Sequence, residues 1–278
     1  MFGIHVHKGA KSTDLVNDVE KALAANWRCC QIYTHGPLSY NQNKFDFERM
    51  KLMALSMPMY VHATHFSKPW KGKAAAIEHI REQRRVASKI GALGLVVHLP
   101  KDTTDVVADI MPQIAARDNN LCPIILEMPA MRAADGITYE SAAKLNALCD
   151  KLIVKCGNSI DWGLCIDTAH LWAGSVSMKH YAETVAYFAE LKYPGLVKLF
   201  HLNGNKLPIG GNKDIHIIVG TAEDQIWRGV AYADSGLKAI FEFCRLHCIP
   251  IILEINRGEE HEVQAVNMQL TKWFKELE

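Results

Sequence analysis

Gly94-Leu95-Val96-Val97-His98 and, one helix-length further on, Pro123-Ile124-Ile125-Leu126-Glu127 each run apolar until a ligand-type side chain closes them. A strand with one wet face alternates apolar and polar residues, whereas an unbroken apolar run marks a strand covered on both faces, as in parallel sheets. Pro250-Ile251-Ile252-Leu253-Glu254 repeats the pattern near the C-terminus. Working outward from these, further strand-like runs are Gly3–Val6, Cys29–Tyr33, Met59–His62, Gly163–Asp167 and Val197–His201. Gly and Pro separate them from segments of helical period. Those segments begin near Thr13, Phe45, Ala74, Asp105, Tyr139, Met178, Ser235 and His261. In Thr13-Asp14-Leu15-Val16-Asn17-Asp18-Val19, hydroxyl and carboxylate groups stand where free N–H groups need a cap. Eight β–α alternations in 278 residues predict an α/β chain: a single (β/α)₈ TIM barrel spanning 1–278, with an open doubly wound sheet as the second choice.

The composition suits that reading. The chain is 49% hydrophobic and 22% charged, with enough apolar material for a large core. Mean hydropathy is −0.03, and no apolar run approaches the roughly 18–20 residues of a membrane span. Met1-Phe2-Gly3-Ile4-His5 lacks the basic-then-apolar pattern of a secretory leader. Cys122, Cys165 and Cys244 sit inside apolar segments, as buried thiols do, so eight cysteines do not imply a disulfide scaffold. The expectation is a protein of an intracellular, reducing compartment, cytoplasm or nucleus, with no membrane association. A net charge of +1 neither favours nor excludes a polyanionic partner.

The strand ends carry the chemical signal. Six consecutive strands finish at His62, His98, Glu127, Asp167, His201 and Glu254, and His170, Asp214 and His216 follow within the next loops. In a TIM barrel such residues converge on the C-terminal face, where sites form. A lone strand-end histidine is most often a hydrogen-bonded structural residue. Six in a row is different: His, Asp and Glu fill 43 of 278 positions, so chance gives on the order of one in 10⁵. Four carboxylates desolvated together need cations. Imidazole with carboxylate suits Zn²⁺, with Mn²⁺, Co²⁺ or Fe as substitutes, and nine ligands at three or four per ion suit three ions.

The segments bearing these residues resemble those of the endonuclease IV family, abasic-site endonucleases on a three-zinc TIM barrel. Cys165-Ile166-Asp167-Thr168-Ala169-His170 matches the family's C-x-D-T-x-H. Leu199-Phe200-His201-Leu202-Asn203 with Asp214-Ile215-His216 matches its H-L-N…D-x-H, and Leu126-Glu127 and Ile252-Leu253-Glu254 complete the pattern along the whole chain. The resemblance implies that His62 and His98 hold one zinc, with Glu127 bridging to a second. Asp167, His201 and Glu254 complete the second, and His170, Asp214 and His216 hold the third. Glu127, Glu254 and His170 are the implied catalytic residues, while His5 and Asn203 support them from behind. The implied reaction is hydrolysis of the phosphodiester 5′ to an abasic site in double-stranded DNA, leaving a 3′-hydroxyl, with removal of blocking groups at 3′ ends. A monomer is expected.

The loops depart from the family pattern. Where the family reads F-x-x-N-P-R-x-W, this chain reads Tyr33-Thr34-His35-Gly36-Pro37-Leu38-Ser39-Tyr40, so Leu38 replaces an arginine and Gly36 an asparagine. His65 stands for a tyrosine and Ile215 for an arginine. The Gly-Pro loop and the His62…Pro69-Trp70 spacing resemble the branch found in large DNA viruses, which would place the protein in a virus factory or virion. The expected DNA-contacting residues are Leu38, Tyr40, His65, Phe66, Lys68, Trp172, Lys206, Lys213 and Arg257, with Tyr40, Phe66 and Trp172 as stacking groups. Basic residues recur in the same loops (Lys8, Lys11, Lys71, Lys73, Lys101, Arg132), and three zincs would raise the formal charge from +1 to +7. The remaining His35, His79, His180, His247 and His261 read as ordinary surface or helix residues.

Three rivals compete. His5-Val6-His7 imitates the H-x-H pair of amidohydrolases, which leaves D-x-x-H on the sixth strand unexplained. A sugar isomerase or epimerase of xylose-isomerase type needs only one or two ions. A non-catalytic abasic-DNA binder has no need of a bridging carboxylate.

Overall fold

The computed structural model describes residues 1–6, 14–100, 104–115, 121–130, 141–157, 160–255 and 260–275. Its strands are β1 (Phe2–Val6), β2 (Cys29–Ile32), β3 (Met59–His62), β4 (Leu95–His98), β5 (Ile124–Glu127), β6 (Trp162–Asp167), β7 (Val197–His201), β8 (Gly204–Asn205), β9 (His216–Ile217) and β10 (Ile251–Leu253). Eight of them close a barrel in the order β1-β10-β7-β6-β5-β4-β3-β2, and β8 pairs with β9 in a separate two-stranded sheet. The unbroken apolar runs are thus barrel strands. The intervening helices are α1 (Leu15–Ala24), α2 (Phe47–Ser56), α3 (Ala74–Lys89), α4 (Thr104–Ile114), α5 (Ala142–Cys156), α6 (Thr168–Ala173), α7 (Tyr181–Ala189), α8 (Gly236–Leu246) and α9 (Glu260–Lys275). No helix among the described residues is long and apolar enough to cross a membrane.

Local chemistry sets the boundaries. Asp14 caps α1 by accepting a hydrogen bond from Val16 N at 3.0 Å, and Asp46 caps α2 by accepting from Arg49 N at 3.1 Å. At the end of α3, Gly91 adopts φ +81°, a left-handed exit that a side chain would strain. Thr13 and Tyr139, expected as helix starts, lie outside the described residues.

Three features differ from expectation. The helix foreseen from Met178 starts at Tyr181, and a short α6 precedes it directly after β6. The Asp167 carboxylate makes α6 by accepting from His170 N at 2.9 Å, so a residue read only as a ligand is also an N-cap. The β8–β9 hairpin went unforeseen because two-residue strands show no periodicity. The last barrel strand stops at Leu253, with Glu254 one residue beyond.

The chain has two compact units: Gly3–Glu127 with Leu148–Leu164, and Met1–Phe2 with Met128–Ala147 and Cys165–Glu278. In the first, Leu15, Val16, Trp27, Ile32, Met50, Met59 and Ile80 are buried around parallel β2 and β3. Register sets His98 opposite Glu127, so these two strand ends are neighbours. In the second, β10 pairs with β7, Ile252 opposite His201. There Phe2 meets Phe241 and Phe274 edge-on at centroid distances of 5.3 and 5.2 Å.

All eight cysteines are free; seven are buried and Cys248 is exposed. Burial pushes the Cys29 and Cys149 thiols up to about 12 and raises Cys30 and Cys244 further still.

Phe241 is fully buried in the aromatic cluster. Replacing Phe241 with Ala is expected to cost about 3–5 kcal/mol of unfolding free energy, read from urea midpoints. A loss under about 1 kcal/mol would mean that this cluster is not part of the cooperative core.

Candidate metal centre

In the Gly3–Glu127 unit, β3, β4 and β5 deliver His62, His98 and Glu127 to one point. His62 Nε2 lies 3.0 Å and His98 Nε2 2.8 Å from the same atom, Glu127 Oε2. His62 and Glu127 are buried, and His98 is one-third exposed. His62 Nδ1 sits 2.8 Å from the carbonyl oxygen of Ala63, an acceptor only, so Nδ1 carries a proton. Nε2 then faces the Glu127 carboxylate oxygen beside Nε2 of His98, a nitrogen and oxygen donor set of the kind that suits a metal ion.

Behind these ligands is an aromatic layer. The His5 ring packs on Tyr33 at 4.6 Å and on His62 at 6.0 Å, and His5 Nδ1 lies 3.0 Å from Gln31 Nε2. Tyr33 Oη is 2.9 Å from His65 Nε2, and the His65 ring lies 5.3 Å from that of His62. Tyr33 and Gln31 were not singled out from sequence, although a glutamine inside an apolar strand is itself a signal.

In the other unit, β6, β7 and the residue after β10 bring together Asp167, His201 and Glu254. His201 Nδ1 is 3.6 Å from Asp167 Oδ2 and 3.4 Å from Glu254 Oε2. Asn203 ties the carboxylates to each other: its Nδ2 donates to Asp167 Oδ2 at 2.6 Å and to Glu254 Oε2 at 3.3 Å, and its Oδ1 accepts from Glu254 N. Asn203 thus links these two carboxylates directly.

Adjacent lie His170, Asp214 and His216. His170 Nδ1 is 2.6 Å from the Met128 carbonyl, which sets the tautomer as at His62 and turns Nε2 toward Asp214 Oδ2 at 3.6 Å. His216 Nε2 stands 2.9 Å from the same oxygen. Ligand atoms of Asp167, His170 and His216 also lie within 4.8 Å of one another, so Asp167 is within reach of both groups. Burial would raise the Asp214 carboxyl, but hydrogen bonds to His170 and His216 outweigh it and hold it far below the usual carboxylate range. Burial would lower His216, but its bond to Asp214 and the charges of Asp167 and Glu254 raise it overall.

The loop residues divide. Leu38, Tyr40 and Phe66 are exposed by 65%, 61% and 43%, so three large apolar groups face water. Tyr40 and Phe66 pack at 5.6 Å, and the carbonyl of Pro37 joins their loops by accepting from His65 N and Thr64 Oγ1. Lys68, Lys71, Lys73 and Lys213 are exposed, while Lys206 pairs with Glu223 at 3.0 Å. Trp172 corrects the expectation: it is buried and its indole N–H donates to Leu207 O, which removes it from the stacking candidates. His35 also departs from the surface reading, being buried edge-on against His79 at 5.1 Å, with burial bringing it down to about 4. Arg257, together with His7, Lys8, Lys11, Lys101 and Arg132, lies outside the described residues.

No family model matches the chain. It is 24% identical over 289 residues to a "Probable AP endonuclease" of African swine fever virus, covering 95% of each chain. It is 25% identical over 301 residues to a "Probable endonuclease 4" of Malacoplasma penetrans, covering 98% of this chain and 97% of the other. Among solved structures, AsfvAP superposes with a TM-score of 0.85 at 23% identity, covering 100% of this chain and 98% of that one. Endonuclease IV of Thermus thermophilus gives 0.73 at 19% identity, covering 99% of each. A D-tagatose 3-epimerase-like protein shares the fold at 0.65 and 15%, covering 99% and 97%.

The signs of the two shifts define a pH window for the metal-free protein. Asp214, depressed, stabilises the fold above the ordinary carboxyl range and loses that contribution as pH falls. His216, raised, stabilises below the ordinary imidazole value and loses its contribution as pH climbs through the raised one. Urea midpoints in EDTA are expected to gain most from the pair between about pH 4 and 6.5, and Asp214→Asn to flatten both flanks. An identical profile in wild type and variant would contradict the pairing.

Proposed function

We propose that this chain, whose sequence and fold group it with the endonuclease IV proteins and their viral branch, is a zinc-dependent abasic-site endonuclease of DNA repair. It hydrolyses the phosphodiester 5′ to an abasic site in double-stranded DNA and leaves a 3′-hydroxyl. The observation that carries the reading is the pair of ligand-type clusters: His62, His98 and Glu127 in one unit, and Asp167, His170, His201, Asp214, His216 and Glu254 in the other. An epimerase or isomerase on this fold has no use for His170, Asp214 and His216 as a further site.

The donor set fits zinc: imidazole nitrogens whose other ring nitrogen faces a backbone carbonyl, set beside buried carboxylates. His62, His98 and Glu127 would hold one ion, Asp167, His201 and Glu254 would hold another, and His170, Asp214 and His216 would hold a third. Zinc so bound supplies Lewis-acid charge and brings the pKa of water towards neutrality. The protein's own part is orientation. Asn203 fixes the Glu254 carboxylate, which orients the attacking water and takes its proton. His5 and Tyr33 back the ring of His62. Leu38, Tyr40 and Phe66 would fill the gap left by the missing base, and His65, Lys68, Lys206 and Lys213 would meet phosphates; Arg257, outside the described residues, is assigned to DNA by the resemblance alone. Blocked 3′ ends fit the same site. We assign residues 1–278 to one catalytic domain that acts as a monomer.

The test is an incision assay on a duplex with one abasic analogue, run beside a metal count. A single cut 5′ to the lesion and close to three zinc ions per chain are expected. Binding without a cut would favour a non-catalytic binder, and one or two ions without a cut an isomerase. Glu254→Gln should lower incision by about 10²–10⁴-fold while the fold is kept. Activity that survives this change would overturn Glu254 as the base.

A further inference from the structure

Asp214 stands on a loop and His216 opens β9, neither of them on a barrel strand, so something else must hold them at ligand distance. The loop leaves β8 at Asn205 and returns at β9, where Asn205 pairs with His216 and Gly204 with Ile217. Asn205 is fully buried, and every polar atom of its side chain is committed. Its Oδ1 accepts from Leu207 N at 2.9 Å and Ile215 N at 3.4 Å, gripping both ends of the loop. Its Nδ2 reaches Lys213 O and Ala169 O, each at 3.4 Å, and Ala169 immediately precedes His170. Asp224, also fully buried, closes the assembly from below by accepting from Ile226 N, Gly220 N and Asn205 N at 2.9, 2.8 and 3.3 Å. Gly204 makes the approach feasible: a Cβ there would stand 2.9 Å from Asp224 Cγ and 3.0 Å from Ile217 O. The loop tip docks on α6, where Gly210 N donates to Trp172 O and Asn212 N to Ala173 O.

We infer that Asn205 and Asp224, with Gly204 as the space between them, form a lock that sets the Asp214–His216 loop against α6 and so assembles the His170–Asp214–His216 ion site. None of the three touches the ion or the substrate; they are positioning residues. The inference rests on the three-ion reading above. It gives a job to a carboxylate that burial alone would disfavour, since burial raises the Asp224 carboxyl while backbone N–H groups oppose it. It also accounts for Trp172, whose indole N–H holds the loop at Leu207.

The test uses the full chain and zinc itself. Metal-free wild type, Asn205→Ala, Asp224→Asn and Gly204→Ala are titrated with Zn²⁺ against a chromophoric chelator, and bound metal is counted after gel filtration. One ion is expected to weaken about 10–100-fold in each variant, the range for residues that orient ligands, while the other two keep their affinity. Excess zinc should restore the full count and, with it, incision. Three ions at wild-type affinity in every variant would overturn the lock, as would an equal weakening of all three. Asp224→Asn keeps the side-chain shape, so it carries the test if Gly204→Ala does not fold. A wild type holding fewer than three ions would overturn the three-ion reading instead, and that result needs no variant.

Discussion

A carboxylate sealed from water must be matched by positive charge or by N–H groups aimed at it, and the arrangement of this protein follows from meeting that demand. Glu127 and Asp167 have no exposed surface, and Glu254 has little. Left unmatched, each would cost several kcal/mol. Asp167 is met by the His170 backbone N–H and the Asn203 amide. At Glu127, His62 Nε2 and His98 Nε2 converge on a single oxygen, where a bound cation would supply the matching charge. The barrel supplies the wall that excludes water, and the strand ends supply the groups that make exclusion tolerable.

The same groups build local structure while preparing for chemistry. Asp167 ends β6 and starts α6, so the act that positions one ligand carries His170 into place three residues later. Backbone carbonyls of Ala63 and Met128 set the tautomers of His62 and His170, leaving Nε2 of each facing inward. Ligand geometry is therefore written into secondary structure and is not left to side-chain packing alone.

Sequence alone revealed most of this architecture, for an identifiable reason. Strands covered on both faces must be apolar throughout, so His98, Glu127 and Asp167 stand out as polar punctuation against Val, Ile and Leu. Elements without periodicity stayed hidden. α6 is six residues long and its start was disguised as a ligand motif, while the β8–β9 hairpin is two residues on each side. Burial was the other blind spot. Trp172 closely follows a ligand motif and His35 precedes a Gly-Pro turn, yet both are packed away, because the residues that meet them, Leu207 and His79, are far off in the chain. Conversely, Leu38, Tyr40 and Phe66 look like core residues by type and are found in water.

The distribution of thiols has a practical corollary. Cys248 sits between α8 and β10 in a left-handed conformation, φ +54°, and so belongs to the turn that leads into a strand, at the opposite end from the ligand-bearing tips. The other seven cysteines are enclosed. A maleimide dye should therefore attach at one address, remote from the ligand-type clusters, and give a fluorescent handle without engineering a cysteine-free background.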